Sequence, residues 1–370
     1  MRFENDNSEW KLIKIKTLLK FQNGLNESQE KYGKGTKYIS VSDILNNDYI
    51  MYDCIKGFVD INIDTFNNFI VEYGDILFQR SSETIEDIGR SNVYLDKVNK
   101  SVFGGFIIRG KKIGEYDPIF FKHLLDTPTA RKIIIKMGAG AQHYNISQDG
   151  LEKISLYFPT LEIQNKIGIV LSKMDLLIST QNKIIEEIKS QIFSISYIMV
   201  KSISKTIPVK EICIFERKTK HQSGDGLLGG NYPFFTNEEE TVKYFNTYDF
   251  DGEYIIANTG GKANFKYHNG KFTTMSDCLV IRFRNSLLTK FYSIVFSVLQ
   301  KYIDYIGFEG SGLKHLNKDW FLKLQVPQCD ENAEKFICII NDLKEKLQIE
   351  KDILSLYKKQ KAYLLQNMFI

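Results

Sequence analysis

Two stretches of this chain, 160–200 and 330–370, each carry apolar residues in alternating steps of three and four. They run well beyond the roughly 20 residues at which most globular helices stop. In the first, Ile163, Ile167, Val170, Met174, Leu177, Gln181, Ile184 and Ile188 fall on one stripe. In the second, Phe336, Ile340, Leu343, Leu347, Leu354, Tyr357, Leu364 and Met368 do the same. This is the a/d spacing of a coiled-coil seam, with Gln181 as a polar member. At about 1.5 Å of rise per residue, each helix would reach roughly 50–60 Å. A stripe of that length has to be covered, and two in one chain predict an antiparallel pair. Such pairing would put the bodies that precede the helices at opposite ends of a rod, related by a pseudo-twofold axis. A helical hairpin inside one large domain is the competing reading.

The bodies have a different character. Tyr and Phe number 20 and 26 while Pro numbers only 6, which favours β-structure between the helices. At 43% hydrophobic and 13% aromatic over 370 residues, there is enough apolar surface for more than one core. Lys37 to Val41, Gly74 to Phe78 and Ser101 to Arg109 read as strands, punctuated by Gly33, Gly35, Gly89 and Gly110, with a short helix over Asp117 to Leu125. From about residue 206 the order repeats. Tyr232 to Thr236 matches the Tyr38 strand, Gly252 to Ile256 matches the Gly74 strand, and a helical stretch over Thr289 to Tyr302 precedes Leu316 to Val326. Pro159 and Pro327 mark equivalent points, so duplication followed by divergence is the economical reading. The predicted fold class is α+β: two β-rich globular domains, 1–159 and 206–327, alternating with helical spacers at 160–205 and 328–370.

Other features bound the function. The five cysteines, Cys54, Cys213, Cys278, Cys329 and Cys338, are odd in number and lack C-x-x-C spacing, as expected for reduced thiols in a cytoplasmic protein. The N-terminus shows no signal-peptide pattern, and no apolar run reaches the roughly 18–20 residues that cross a bilayer, so no membrane role is expected. A net charge of +4 permits nucleic-acid binding without requiring it.

Three stretches carry a family resemblance. Phe158-Pro159-Thr160-Leu161-Glu162-Ile163-Gln164-Asn165-Lys166-Ile167, the C-terminal Gln366-Asn367-Met368-Phe369, and Gly74-Asp75-Ile76-Leu77-Phe78-Gln79-Arg80-Ser81-Ser82-Glu83-Thr84 resemble segments of type I restriction-modification specificity subunits. The resemblance covers nearly the whole chain. The start of the second helix departs from it, with Pro327-Gln328-Cys329-Asp330-Glu331-Asn332 carrying Asn where the family usually shows Gln. The resemblance implies two target-recognition domains, each reading one half of a bipartite asymmetric site in double-stranded DNA. It also implies helices that fix the gap and dock two adenine-N6 methyltransferase subunits, with restriction subunits as further partners. No cofactor is expected in this chain; S-adenosylmethionine, and ATP and Mg for restriction, would belong to the partners.

Candidate DNA contacts come from basic, hydroxyl and amide residues in loops. In the first domain these are Lys34 and Lys37 among glycines and tyrosines, suited to phosphate, then Arg80, Ser81, Ser82 and Thr84 after a strand, where a guanidinium could read guanine O6 and N7. Gln142, His143 and Tyr144 form a third group. In the second domain the counterparts are Arg217, Lys218 and Lys220, the loop Asn258, Thr259 and Lys262 with Lys266, and Ser311 and Lys314 beside His315. The Asn258 loop mirrors the Arg80 loop, and Ser311 to His315 mirrors Gln142 to Tyr144. Ordinary solvated loops are the alternative at each.

Catalytic motifs are missing from the pattern. Gly260-Gly261-Lys262 lacks both the upstream glycine and the Ser or Thr of a P-loop. Asp117-Pro118-Ile119-Phe120 only echoes an aminomethyltransferase tetrapeptide. His123, His143, His221, His268 and His315 lack metal-ligand spacing. A non-catalytic subunit is therefore expected. A diverged restriction enzyme or methyltransferase and a stand-alone coiled-coil DNA-binding scaffold or regulator are the alternatives. Apolar residues beside the stripes, Leu171, Ile178, Ile185, Ile339, Ile353 and Leu356, predict a wider face open to a partner.

Overall fold

The structure, a computed structural model, describes residues 10–140, 143–238 and 243–369. It divides into two compact units, Met1–Asn182 with Asp352–Ile370, and Lys183–Lys351, so each unit holds part of both long helices.

The first unit begins with β1 (Lys11–Lys14), β2 (Leu19–Asn23), β3 (Tyr32–Ile39), α1 (Val41–Asn46), β4 (Gly57–Val59) and α2 (Ile63–Phe69). It continues through β5 (Ile76–Gln79), β6 (Ser81–Ser82), β7 (Ser91–Val93), β8 (Val102–Phe103) and β9 (Ile107–Lys112). Helices α3 (Pro118–Asp126) and α4 (Pro128–Ile135), then β10 (Tyr144–Asn145), α5 (Gln148–Glu152) and β11 (Ser155–Phe158), lead into α6 (Leu161–Ser202). One sheet has the order β2-β9-β5-β7 and another β4-β3-β8. Strand β5 is buried along its whole length, which explains why its sequence shows no polar alternation. Helices α3 and α4 start the same way, with Asp117 and Thr127 accepting the Phe120 and Ala130 amides, each followed by a proline in the first turn. From α3, Phe120, Phe121, Leu124 and Leu125 pack with Phe158, Ile167 and Leu171 in the main core.

The chain closes on itself before α6 departs. Strand β1 pairs antiparallel with β11, Lys11 opposite Phe158. Gln164, buried in the first turns of α6, donates to the Pro159 carbonyl at 2.9 Å and accepts from the Asp117 amide at 3.1 Å, tying the helix start to the start of α3. Gly168 permits that approach: a Cβ there would lie 2.5 Å from Asp117 Oδ1.

The second unit repeats this plan. After α6 come β12 (Thr206–Pro208), α7 (Val209–Ile212), β13 (Ile214–Phe215), β14 (Tyr232–Phe235), β15 (Lys243–Phe245), β16 (Phe250–Asn258), β17 (Phe265–Thr274) and β18 (Cys278–Arg282). Then follow α8 (Ser286–Gly307), β19 (Phe308–Glu309), β20 (His315–Leu316), α9 (Lys318–Lys323), β21 (Gln325–Pro327) and α10 (Ala333–Asn367). Its sheet runs β13-β18-β16-β17-β14-β15. Strand β12 pairs antiparallel with β21 just before α10, as β1 pairs with β11 before α6. Each unit also has a short parallel strand pairing at the matching place, β3 with β8 and β14 with β17.

Helices α6 and α10 span 42 and 35 residues, about 63 and 53 Å of rise. Their pairing is antiparallel within each unit. In the first, early α6 residues Ile167 and Leu171 share a core with the late α10 residues Leu364 and Leu365 and with Met368 just beyond the helix. In the second, late α6 residues Met199 and Val200 share one with Ala333, Ile337 and Ile340 of early α10. The α10 seam is the predicted one, with Glu350 and Lys361 filling its steps. The α6 seam is rotated by one residue at three points. Leu171 and Ile185 are buried and Ile178 half-buried, whereas Val170 and Leu177 are exposed, so the seam runs Ile167, Leu171, Met174, Ile178, Gln181, Ile185, Ile188, Ile192, Ile195, Met199. Both registers begin plausibly because 170/171, 177/178 and 184/185 are apolar pairs. Only the observed one continues through Ile192, Ile195 and Met199 to the end of the helix. Of the residues expected to form an extra open face, Ile339 and Leu356 are exposed, Ile178 and Ile353 half-buried, and Leu171 and Ile185 belong to the seam.

Candidate nucleic-acid interface

In both units a central strand ends at a loop that pairs with the segment leading back to a long helix. In the first, β5 emerges from the core at Arg80, and the next two residues pair antiparallel with β10, Ser81 opposite Asn145 and Ser82 opposite Tyr144. The Ser81 hydroxyl also donates to Asn145 Oδ1, and the Ile146 amide donates to the Arg80 carbonyl at 3.0 Å. Two of the predicted groups thus form one polar two-stranded ribbon, a shape that the DNA major groove admits. Gln142, predicted with His143 and Tyr144, lies outside the described residues. A 580 Å³ recess on this surface is lined in part by Asn23, Arg80, Asn145, Ser147 and Gln148, and a 430 Å³ recess by Gln79, Ser81, Ser82, Thr84, Phe106 and His143.

The second unit builds the same junction. Strand β16 ends at Asn258, and the turn Thr259-Gly260-Gly261 pairs with β20: Gly260 bridges His315, the Gly261 amide donates to the Lys314 carbonyl at 2.9 Å, and the Leu316 amide to the Thr259 carbonyl at 2.9 Å. Gly261 has φ +82°, a conformation in which a Cβ would be strained. Ser311 and Lys314 sit exposed on the β19–β20 hairpin beside this turn. A 380 Å³ recess next to it is lined by amides and charges, among them Asn237, Asn258, Lys262, Asn264, Gln300 and Asp304.

The structure sorts the predicted cations into anchored and free. Lys37 donates to the carbonyls of Tyr52 and Ile55 at 3.0 and 2.9 Å and lies over the Tyr52 and Phe58 rings, so its ammonium is held inside the first unit. Lys266 likewise donates to the Thr236 and Glu238 carbonyls over the Phe235 ring. Lys34 is exposed in an ion pair with Asp60 at 3.3 Å. Arg80 is half-buried and donates to the Gly105 carbonyl at 3.3 Å. Arg217, Lys218, Lys220, Lys262 and Lys314 are exposed, and no carboxylate among the described residues pairs with them. Two short side chains are also occupied: Thr259 donates to the Asp277 carbonyl at 2.6 Å, and Thr84 donates to Asp87 at 2.9 Å. That hydrogen bond, together with Arg90, holds the Asp87 carboxyl below the usual carboxylate range. Asn258 is buried and donates to the Asn237 carbonyl at 3.0 Å.

The repeated junction matches the family result. A family model, the type I restriction modification DNA specificity domain, matches residues 7–190 and again 202–356. The chain belongs to this type I specificity family. The doubled match falls on the two repeats. Relatives include a protein named as a type I specificity subunit of Mycoplasma pneumoniae, 28% identical over 181 residues, covering 45% of this chain and 46% of that protein. The type I restriction enzyme MpnII specificity subunit of the same organism is 31% identical over 103 residues, 25% of this chain and 30% of that one. The chain thus spans about half or less of the length of these curated relatives. Among solved structures, the type I restriction-modification S subunit of M. genitalium superposes with a TM-score of 0.66 at 16% identity, over 99% of this chain and 98% of that one. A chain from a study of assembly and conformational transition in the type I R-M system gives 0.56 at 10% identity, over 98% and 97%. At such identities the superpositions speak for the fold.

Several functional candidates were not visible in sequence. Phe106, Asn145, Asn23 and Gln148 in the first unit, and Asn237, Asn264 and Gln300 in the second, join the recesses from elsewhere in the chain. Only Phe106 carried a local signal, following Gly104-Gly105. Among the described residues no helix is long and apolar enough to cross a membrane, and no cluster of three or more His, Cys, Asp or Glu is placed to hold a metal ion.

Proposed function

We propose that this type I specificity chain is the non-catalytic DNA-reading subunit of a cytoplasmic restriction-modification complex. Each unit's strand-end loop and hairpin would read one half of a bipartite, asymmetric site. The single observation that carries this reading is the same polar junction built twice, from Arg80 to Ser82 with Tyr144 and Asn145, and from Asn258 to Gly261 with Lys314 and His315. Different side chains on one scaffold are what two different half-sites require. Arg217, Lys218, Lys220, Lys262 and Lys314 are the unpaired cations suited to phosphate, whereas Ser81, Ser82, Asn145 and Arg80 would exchange their internal hydrogen bonds for base edges.

The helices would set the unread gap. Their rise of about 53–63 Å is on the scale of the roughly 34–36 Å that separates half-sites one DNA turn apart. Two adenine-N6 methyltransferase subunits would dock on them. Support comes from α10, where Ile349, Leu356 and Tyr363 recur at seven-residue steps with 59, 62 and 65% exposure, a stripe outside the seam. S-adenosylmethionine would then bind the methyltransferases, and ATP and Mg any restriction subunits.

The test is co-expression with the methyltransferase encoded beside this chain, followed by mapping of N6-methyladenine across the host genome. A two-part motif with a fixed gap, lost when this chain is omitted, is the expected result. A soluble complex that leaves no such motif would end the reading. Deleting one heptad, Ile184 to Ser190, should alter or abolish gap recognition while both half-site preferences survive.

A further inference from the structure

The two units can be aligned through backbone hydrogen bonds alone, and the alignment exposes one position where they differ sharply. In the first unit the turn between β8 and β9 is fixed on every side. The Gly104 amide donates to the Ile39 carbonyl at 3.0 Å, the Ile107 amide to the Gly104 carbonyl at 2.9 Å, and the Arg80 amide to the Phe106 carbonyl at 2.8 Å. In the second, the turn between β17 and β18 has the same set. The Met275 amide donates to the Phe235 carbonyl at 3.0 Å, the Cys278 amide to the Met275 carbonyl at 3.2 Å, and the Thr259 amide to the Asp277 carbonyl at 3.0 Å. Ile39 therefore corresponds to Phe235, Arg80 to Thr259, Gly104 to Met275, and Phe106 to Asp277.

Both tips touch the strand-end residue of the polar junction, and both point a side chain outward. Phe106 is 67% exposed although its backbone is clamped, and it lines the recess with Ser81, Ser82 and His143. Asp277 is exposed, and among the described residues its carboxylate makes no hydrogen bond or ion pair. An immobilised backbone presenting a free side chain loses little conformational entropy on binding. The two chemistries also exclude phosphate as the partner: a phenyl ring offers it nothing, and a carboxylate repels it. Of the groups that DNA presents, base edges and faces suit both side chains. A carboxylate accepts from the exocyclic amino group of cytosine, and an aromatic ring packs on a thymine methyl or an unstacked base.

We propose that this turn tip is a base-selecting position in both units, Phe106 through apolar or stacking contact in one half-site and Asp277 by accepting a hydrogen bond from an exocyclic amino group in the other. The proposal rests on the DNA-reading role above. It predicts that the two half-sites differ at the base pair facing this tip.

The experiment uses the complex of the full chain with its methyltransferase. Genome-wide methylation is mapped for the natural chain, for Phe106→Ala and for Asp277→Ala, and binding is measured on duplexes varied one base pair at a time. Phe106→Ala should relax preference at one position of one half-site, and Asp277→Ala at one position of the other, where the favoured base carries an amino group in the major groove. Each should narrow discrimination on the order of tenfold, with the unmutated half-site unchanged. Phe106→Trp should restore apolar contact and report DNA binding by a change in its own fluorescence. If the natural complex yields a bipartite motif and both alanine variants keep every base preference, the turn tip is not a reader and the proposal falls alone. If no bipartite motif appears, the DNA-reading role falls and takes this proposal with it.

Discussion

Both units anchor the long helices through apolar packing, but the first adds a buried polar network. In the first, a buried polar network lies where the body meets both helices: Asp175 of α6 accepts from His123 Nε2 at 3.0 Å and from the Tyr49 hydroxyl, and pairs with Lys361 of α10 at 2.5 Å. Burial works against the Asp175 charge, but His123, Lys361 and Tyr49 outweigh it and hold the carboxyl well below the usual carboxylate range. In the second, the equivalent junction is apolar, with Met199, Val200, Ala333, Ile337 and Ile340 packed against Phe291, Phe296 and Phe321. An apolar contact tolerates small rotations, whereas a network with defined donors fixes register. The first unit therefore sets which turn of α10 faces which turn of α6, in the manner of a polar residue in a coiled-coil seam.

The strongest way to break this comparison is to remove the charge that organises the network. Asp175→Ala leaves Lys361 and His123 near a buried site without their partner, and loss of one member of a buried ion pair costs on the order of 3–5 kcal/mol. Hydrogen-exchange mass spectrometry should show lost protection in 161–182 and 352–369, with 183–202 and 333–351 unchanged. Equal loss in both sets would mean that the two junctions are not independent. In the apolar junction, Ile340→Ala removes a side chain with no exposed surface and should cost about 2–4 kcal/mol through the cavity it leaves. Ile340→Leu conserves volume and should recover most of that loss, whereas Asp175→Asn, equally conservative in shape, should recover little in the first unit.

The network also makes the first unit's helix junction sensitive to acid, whereas the apolar junction of the second holds no histidine among the described residues. His123 is fully buried; desolvation lowers its pKa despite the neighbouring Asp175, and its Nδ1 has no partner. A neutral ring with its proton on Nε2, donating to Asp175, fits that geometry. Because the folded pKa lies below the unfolded value of about 6.5, the unfolded chain takes up a proton first as the pH falls. The stability from a neutral His123 is thus present above about pH 6.5 and drains away below it. The Asp175 contribution persists until the pH drops beneath the ordinary carboxylate range. Protection of 161–182 measured from pH 7.5 to 5.5 should fall with acid and flatten in His123→Asn. A natural chain with the same protection at both ends of that range would refute the assignment of a neutral imidazole.

Much of this was legible in the sequence because it is written in periodicity. The heptad stripes announced both helices, and Pro159 and Pro327 marked the ends of the strands that lead into them. The repeated order of strands predicted which loops would be equivalent, and the structure brings Arg80 to Ser82 against Tyr144 and Asn145 as it brings Gly260 against His315. Three things were hidden for physical reasons. The α6 register is ambiguous wherever two adjacent residues are both apolar, and only its far end decides. The Asp175, His123, Tyr49 and Lys361 network joins residues distant in sequence, which no local pattern reports. The fate of a lysine depends on carbonyls that folding brings to it: Lys37 and Lys266 looked like DNA contacts and are structural donors, while Lys262, close to Lys266 in the chain, stays free.

That last contrast gives the smallest expected effect. Lys266→Met removes a donor that two backbone carbonyls use and should cost about 1 kcal/mol, visible as a lower Tm, as should Lys37→Met in the first unit. Lys262→Ala touches no internal bond and should leave Tm within the roughly 0.5 kcal/mol typical of surface changes. In the methyltransferase complex, however, it should lower affinity for specific and non-specific duplexes alike and reduce the slope of log affinity against log salt by about 1. The two lysines, Lys262 in the β16–β17 loop and Lys266 at the start of β17, thus separate folding from binding. A Lys262→Ala complex with an unchanged salt slope would place that loop away from the phosphate backbone and move the second unit's DNA contact toward Arg217, Lys218 and Lys220.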